Sequence, residues 1–146
     1  MKISTKGRYG LRILLDLALH DLESKPRSIK EIASSQEISE KYISRLIILL
    51  RKAGFVASVR GTGGGFRLVK PPETITILAV LEIMEGPIHL VDCVARPQCR
   101  RAQGCSPQML WTTINEKIRH LFAEYTLYDL LQMHQSRGGA TIEYCI

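Results

Sequence analysis

The 146-residue chain lacks most of the features that would place it in a membrane, on an export route or among common enzymes. No apolar run is longer than Leu46–Leu50, far short of the roughly 20 residues that cross a bilayer as a helix, so no membrane partner is expected. Met1–Tyr9 is basic and polar, without the apolar core and small-residue cleavage site of a signal peptide. Both absences point to the cytoplasm, where thiols stay reduced. The 4 cysteines are therefore expected as metal ligands, redox sensors or inert buried groups rather than as disulfides. No Gly-Lys-Ser/Thr follows the glycine-rich stretch to open a helix, which argues against a phosphate loop. There is no Ser/His/Asp constellation and no motif of paired carboxylates, and His20, His89, His120 and His134 share no metal-ligand spacing. Nothing here points to an enzyme. Internal repeats and low-complexity stretches are also missing.

What is present is enough for one compact domain with an appended arm: 45% of residues are hydrophobic. The net charge of +6 is unevenly spread. Residues 1–72 carry 14 Lys or Arg against 6 Asp or Glu, while residues 73–146 carry 6 against 8. A basic first half is the electrostatic footprint of a nucleic-acid module.

The patterning of that half is specific. Leu11, Leu14, Leu15, Ala18, Leu19 and Leu22 recur at helical spacing, predicting a helix over Ser4–Leu22 that Lys25-Pro26-Arg27 breaks. Ser28 and Glu31 form a capping box, opening a short helix to about Ser35. After a turn at Gln36–Ile38, Ser39 caps a second helix, Glu40–Lys52, which ends at Gly54. Two short helices joined by a tight turn behind a longer one make a helix-turn-helix. The second is the recognition helix, with Tyr42, Ser44 and Arg45 near its exposed start and Ile43, Leu46, Ile47, Leu49 and Leu50 facing the core. Phe55–Val59 and Phe66–Val69 read as strands around the glycine-rich Arg60–Gly65, a hairpin with a slim tip. Such a wing can enter a minor groove, and Arg60 is the side chain placed to do so.

Pro71-Pro72 closes this module, and an apolar helix over Thr74–Met84 ends at Gly86-Pro87. The chain is thus expected to be mainly α: a winged helix-turn-helix over residues 1–86, an irregular loop over 87–106, a long dimerisation helix over 107–134 and a flexible tail over 135–146. The loop carries Cys93, Cys99 and Cys105 at six-residue intervals; Cys145 stands apart. Ser106-Pro107 starts a long helix whose stripe, Leu110, Ile114, Ile118, Leu121, Phe122 and Tyr125, exceeds what a small winged domain needs to cover. A homodimer seam is its natural partner, since a two-fold protein reads a two-fold operator. Thr126–Met133 begins another helical piece.

Ser4-Thr5-Lys6-Gly7-Arg8-Tyr9, Val59–Phe66 in the wing, and the three cysteines before a helix bearing Trp111 together resemble the winged-helix iron–sulfur-cluster transcriptional regulators that include IscR and NsrR. The similarity runs from Lys2 to about Leu131 and leans to the IscR branch. It implies a dimeric factor that binds double-stranded DNA operators and controls cluster biogenesis or iron and redox response genes. It also implies a 2Fe–2S cluster on Cys93, Cys99 and Cys105, with 4Fe–4S open. Thiolates are the preferred iron ligands in such clusters. The chain departs from the IscR pattern at the fourth ligand, where Gln108 replaces a histidine. Gln108 is the first choice by position, with Asp92, His89 and Cys145 also open; Arg8 and Arg12, where other branches place a partner ligand, cannot serve. The resemblance further implies that Lys6 and Arg8 lie near phosphates, that Ser39, Lys41 and Tyr42 start the recognition helix, and that Arg60 with Gly63, Gly64 and Gly65 meets the minor groove. Where IscR carries a Glu-Gln pair, this chain has Ser44-Arg45, and Arg45 could donate two bonds to a guanine edge. The alternative is a regulator of the same fold without a cluster, sensing through thiols or holding zinc.

Overall fold

A computed structural model of the chain describes residues 2–21, 25–96 and 99–137. Among the described residues seven helices and a hairpin follow in the order α1 Thr5–Asp21, α2 Ile29–Gln36, α3 Glu40–Lys52, β1 Val56–Val59, β2 Gly65–Leu68, α4 Ile77–Glu85, α5 Asp92–Ala95, α6 Ser106–Glu124 and α7 Leu127–Ser136, with a 3-10 turn at Pro72–Thr74. Among the described residues no helix is long and apolar enough to cross a membrane. The architecture is the expected one, mainly helical with a two-stranded wing.

The core forms where the stripes of α1, α3 and α4 converge. Ile13, Leu14, Leu17, Ile32, Ile43, Leu46, Ile47, Leu50, Val80 and Met84 are buried together, and Leu127 and Leu131 of α7 close it. The buried stripe of α1 is wider than the spacing suggested. It includes Ile13 and Leu17, whereas Leu11 and Leu19 pack only partly against the core; Leu22 lies outside the described residues.

Local chemistry sets the boundaries of α2 and α3. The Glu31 amide donates to the Ser28 hydroxyl (3.2 Å) while the Ser28 amide and hydroxyl donate to the Glu31 carboxylate (2.8 and 2.7 Å). The bond from the Ser28 amide, followed by that from its hydroxyl, holds the Glu31 carboxyl below its ordinary range. Between the helices Glu37 adopts φ 54°, ψ 44°, and its amide donates to the Ala33 carbonyl. This is a left-handed cap without glycine, so nothing in composition announces it. Ser39 caps α3 by accepting the Tyr42 amide.

The hairpin pairs Val56 with Leu68 through Val59 with Gly65, antiparallel. It also gains a third, one-residue strand: the Arg27 amide donates to the Phe66 carbonyl (2.9 Å) and the Phe66 amide to the Arg27 carbonyl (2.8 Å). The segment read only as a helix breaker therefore anchors the wing.

The second half departs from expectation at several points. The helix expected from Thr74 begins at Ile77, capped by Thr76, because the preceding residues pair with the α6–α7 junction. There Ile77 donates to the Tyr125 carbonyl and Leu127 to the Ile75 carbonyl, both at 2.8 Å. Span 107–134 divides at Tyr125 into α6 and a separate α7, which a Thr126–Asp129 capping box opens. α6 packs on α4 and α5, whereas α7 packs on α1. The tail expected from Gln135 is helical through Ser136; the remainder from residue 138 lies outside the described residues.

Candidate nucleic-acid interface and cysteine segment

The residues expected to read nucleic acid fall mainly at the start of α3 and at the wing. On α3, Lys41 and Arg45 are exposed, whereas Tyr42 and Ser44 are half-buried. The Ser44 hydroxyl donates back to the Glu40 carbonyl (2.8 Å), and the Ser39 oxygen is engaged in the cap, so Lys41 and Arg45 are the extended donors of this face. Tyr42 packs edge-on against Tyr9 of α1, ring centroids 5.8 Å apart. Arg60 is exposed at the end of β1.

The wing glycines have different reasons to be glycine. Gly63 takes φ 78° in open space. A Cβ on Gly64 would lie 2.3 Å from the Val59 carbonyl oxygen, and one on Gly65 would lie 2.5 Å from the main chain of Arg27. These two admit the close approach of backbone that forms the tip and its bridge to Arg27. That internal demand explains them whether or not DNA also comes near.

Sequence reasoning missed the polar network beneath this surface. Asp16 is only 3% exposed on α1. Its carboxylate accepts from Arg27 Nε (3.1 Å), Ser35 Oγ (2.6 Å) and Gln36 Nε2 (3.2 Å). Gln36 Oε1 in turn accepts from Arg12 Nε (3.1 Å), the Arg12 guanidinium also donates to the Gln36 carbonyl, and its carbon lies 5.1 Å from the centre of the Tyr9 ring. A buried carboxylate is tolerated only when paired and hydrogen-bonded, as this one is. The signal in the sequence was the charged residue inside the apolar stripe of α1.

The opening motif also finds a structural role. Glu85 Oε1, at the end of α4, accepts from the Ser4 amide (3.1 Å), the Ser4 hydroxyl (2.6 Å) and the Gly7 amide (3.0 Å). A Cβ on Gly7 would lie 2.5 Å from that oxygen. Lys6 is half-buried beside this contact, and Arg8 is exposed, donating to Thr5 Oγ1 at 3.2 Å.

The cysteine segment was expected as an unbroken loop and instead contains α5, too short for periodicity to reveal. It is pinned to α6 twice. Leu90 donates its amide to the buried Asn115 Oδ1 (3.0 Å), and Gln108 Nε2 donates to the Cys93 carbonyl (3.2 Å). An ion pair between Glu82 and Arg119 ties α4 to the same helix. Cys93 and Cys105 are half-buried and Cys99 is exposed. Cys105 occupies the N-cap of α6, without a side-chain capping bond. Gln108 is brought beside Cys93, yet its side chain is spent on backbone.

Three thiols are the right donors for iron in a cluster or for zinc. Their geometry is open, however: among the described residues no three His, Cys, Asp or Glu side chains are gathered as a metal site. Asp92 lies in α5 and is exposed, as is His89; Cys145 lies outside the described residues.

Beyond the segment, α6 presents an apolar face to solvent. Met109 is 69% exposed and Leu110 56%, with Trp111, Leu121 and Tyr125 also exposed; only Asn115 is buried along the helix.

A family model described as "Rrf2: Iron-dependent Transcriptional regulator" matches residues 3–133. The chain is 38% identical to the HTH-type transcriptional regulator CymR of Bacillus subtilis over 144 residues, 99% of each chain. It is 36% identical to the HTH-type transcriptional regulator IscR of Vibrio atlanticus over 132 residues, 90% of this chain and 76% of that one. Both are named as regulators rather than enzymes. Among solved structures it resembles CymR, the global cysteine regulator of B. subtilis (TM-score 0.78, 37% identity, 91% of this chain and 98% of that one). It also resembles T. potens IscR (TM-score 0.76, 33% identity, 94% and 91%).

Proposed function

The chain belongs to the Rrf2 family of transcriptional regulators, and we propose that it is a cytoplasmic homodimer that represses from a double-stranded DNA operator according to the state of its three-cysteine segment. Cys93, Cys99 and Cys105 would hold an iron–sulfur cluster, 2Fe–2S in the first instance, with Gln108 at the fourth position. Bound there, such a cluster supplies a redox-active and exchangeable centre. Iron–sulfur assembly or iron and redox response genes are the targets this implies.

The observation that carries the reading is the placement of the segment. It lies between the DNA-reading unit and α6: Leu90 and Cys93 of the segment bond to α6, while α4, which leads into it, bonds through Glu85 to Ser4 and Gly7 at the start of α1. A rearrangement between residues 88 and 105 therefore acts on α4 and α1 and on the dimer helix together. The exposed apolar face of α6 is the seam for the second copy, which would set two recognition helices to read two half-sites. Lys41 and Arg45 enter the major groove, Arg60 the minor groove, and Lys6 and Arg8 contact phosphates. Ser39, Tyr42 and Ser44 shape the start of α3, and Gly63, Gly64 and Gly65 keep the wing tip slim.

The ungathered thiols and the full-length match to CymR favour a second reading, a thiol-sensing or zinc-bound regulator without a cluster. Protein purified without oxygen separates the two. A visible absorption band with equimolar iron and sulfide supports the cluster. Colourless protein with stoichiometric zinc, or with no metal after anaerobic reconstitution, supports the thiol reading.

A further inference from the structure

We infer that Asp16 is a positioning residue for DNA reading: it fixes the wing relative to the recognition helix, so that Arg60 and Arg45 engage one duplex simultaneously. The inference rests on the DNA-binding reading above and adds a residue that does not itself touch DNA.

The argument starts from connectivity. β2 is held to the helical body by the main-chain pair between Phe66 and Arg27. Arg27 is held in turn by the Asp16 carboxylate, through Oδ2 to its Nε at 3.1 Å. The other carboxylate oxygen, Oδ1, takes Ser35 and Gln36, the last residues of α2 before the turn. Gln36 then holds Arg12, which lies over Tyr9, which packs on Tyr42 in the first turn of α3. One buried carboxylate thus joins Arg27, the wing's anchor, which forks across both oxygens (Nε to Oδ2, Nη2 to Oδ1 at 3.4 Å), to the end of α2 at the helix-turn-helix turn, which shares Oδ1. Apolar contacts resist separation but allow sliding, whereas charge-assisted bonds to a guanidinium fork fix direction as well as distance. The wing and α3 behave as two linked binding elements, and the benefit of the second depends on geometry that lets both engage together.

The test uses the full-length protein and a fluorescent duplex selected from a random-sequence pool by the wild-type protein. Arg60→Ala and Arg45→Ala are each measured in the wild-type and the Asp16→Asn backgrounds. In wild type, each is expected to weaken binding roughly tenfold. With Asp16→Asn the Arg60→Ala loss should shrink to within about twofold while the Arg45→Ala loss persists, because the wing no longer engages together with α3. A general loss of folded protein would scale all variants alike and could not produce that asymmetry. An unchanged Arg60→Ala loss in Asp16→Asn overturns the inference alone. Failure to select any duplex, or no effect of Arg60→Ala in wild type, overturns the DNA-reading assignment and the inference with it. Should Asp16→Asn not fold, Arg27→Lys serves instead. It keeps the main-chain pair with Phe66 and the positive charge but loses the planar fork, and the same asymmetry, smaller in size, decides the question.

Discussion

The unit formed by α1 to α4, the wing and α7 closes on itself, whereas the cysteine segment and α6 do not. In the first, apolar stripes meet in a shared core, and even its buried charge, Asp16, has partners on two oxygens. In the second, α6 runs 19 residues with a single buried side chain, and that one is a polar asparagine fastening the loop. α6 packs on α4 and α5 yet displays Met109, Leu110 and Leu121 to water, an apolar surface of the kind that the proposed second copy would cover. The difference teaches that the reading device is internally satisfied, whereas the cysteine segment and α6 are where the proposed second copy and effector would act.

Matched truncations put that contrast to its hardest test. Ile43→Ala removes a fully buried side chain and should cost about 2–5 kcal/mol in denaturant unfolding, independent of protein concentration. Leu110→Ala should change stability only to the extent that dimers form, so its effect fades on dilution, and Leu121→Lys should shift sedimentation from dimer to folded monomer. Equal, concentration-independent losses for Ile43→Ala and Leu110→Ala would break the comparison.

Within the closed unit the wing bridge is the next test. Gly65→Ala places a methyl 2.5 Å from the Arg27 main chain, where backbone must move. Roughly 2 kcal/mol of stability and about tenfold in operator affinity should be lost. Gly63→Ala, facing open space but at φ 78°, should cost about 1 kcal/mol by strain alone. Stability curves and anisotropy titrations of the pair separate crowding from strain.

The caps are smaller and test each half of the chain once. Ser28→Ala and Thr126→Ala should each cost about 1 kcal/mol near neutral pH. Glu31 and Asp129 titrate below their ordinary values because of these caps, the first mainly through the Ser28 amide and the second mainly through the Thr126 hydroxyl. A carboxyl whose folded value is lowered favours the native state above its unfolded value, and that contribution is lost as pH falls through the folded value. The gap between wild type and either capping variant should therefore narrow on acidification below the carboxylate range, as melting curves at neutral and acid pH would show. A gap independent of pH contradicts the capping-box account. Smallest and opposite in sign, Glu37→Gly should stabilise by up to about 1 kcal/mol, since glycine holds φ 54° without strain.

The two halves were also unequally legible in the sequence. α3 was readable to the residue, Glu40–Lys52, because Ser39 caps it and apolar periodicity fills it. The Ser28–Glu31 box and the wing were readable for the same reason: their determinants are local. What was hidden depends on contacts distant in sequence. The Arg27–Phe66 pair, the Asp16 network and the delayed start of α4 at Ile77 all join segments that no periodicity connects. The burial of α7 against α1 is of the same kind. The cysteine segment was marked by residue type alone, which names the donors without giving their arrangement; α5 and the turn of Gln108 toward the Cys93 carbonyl had no signature at all.

The central claim is that the state of the cysteine segment sets operator affinity. It is tested most directly by titrating one selected operator duplex with a single anaerobic preparation before and after the metal is removed by a chelator. The account predicts at least a tenfold change in affinity between the two states, lost in Cys99→Ala. Identical affinities before and after removal, with metal loss verified, would contradict it.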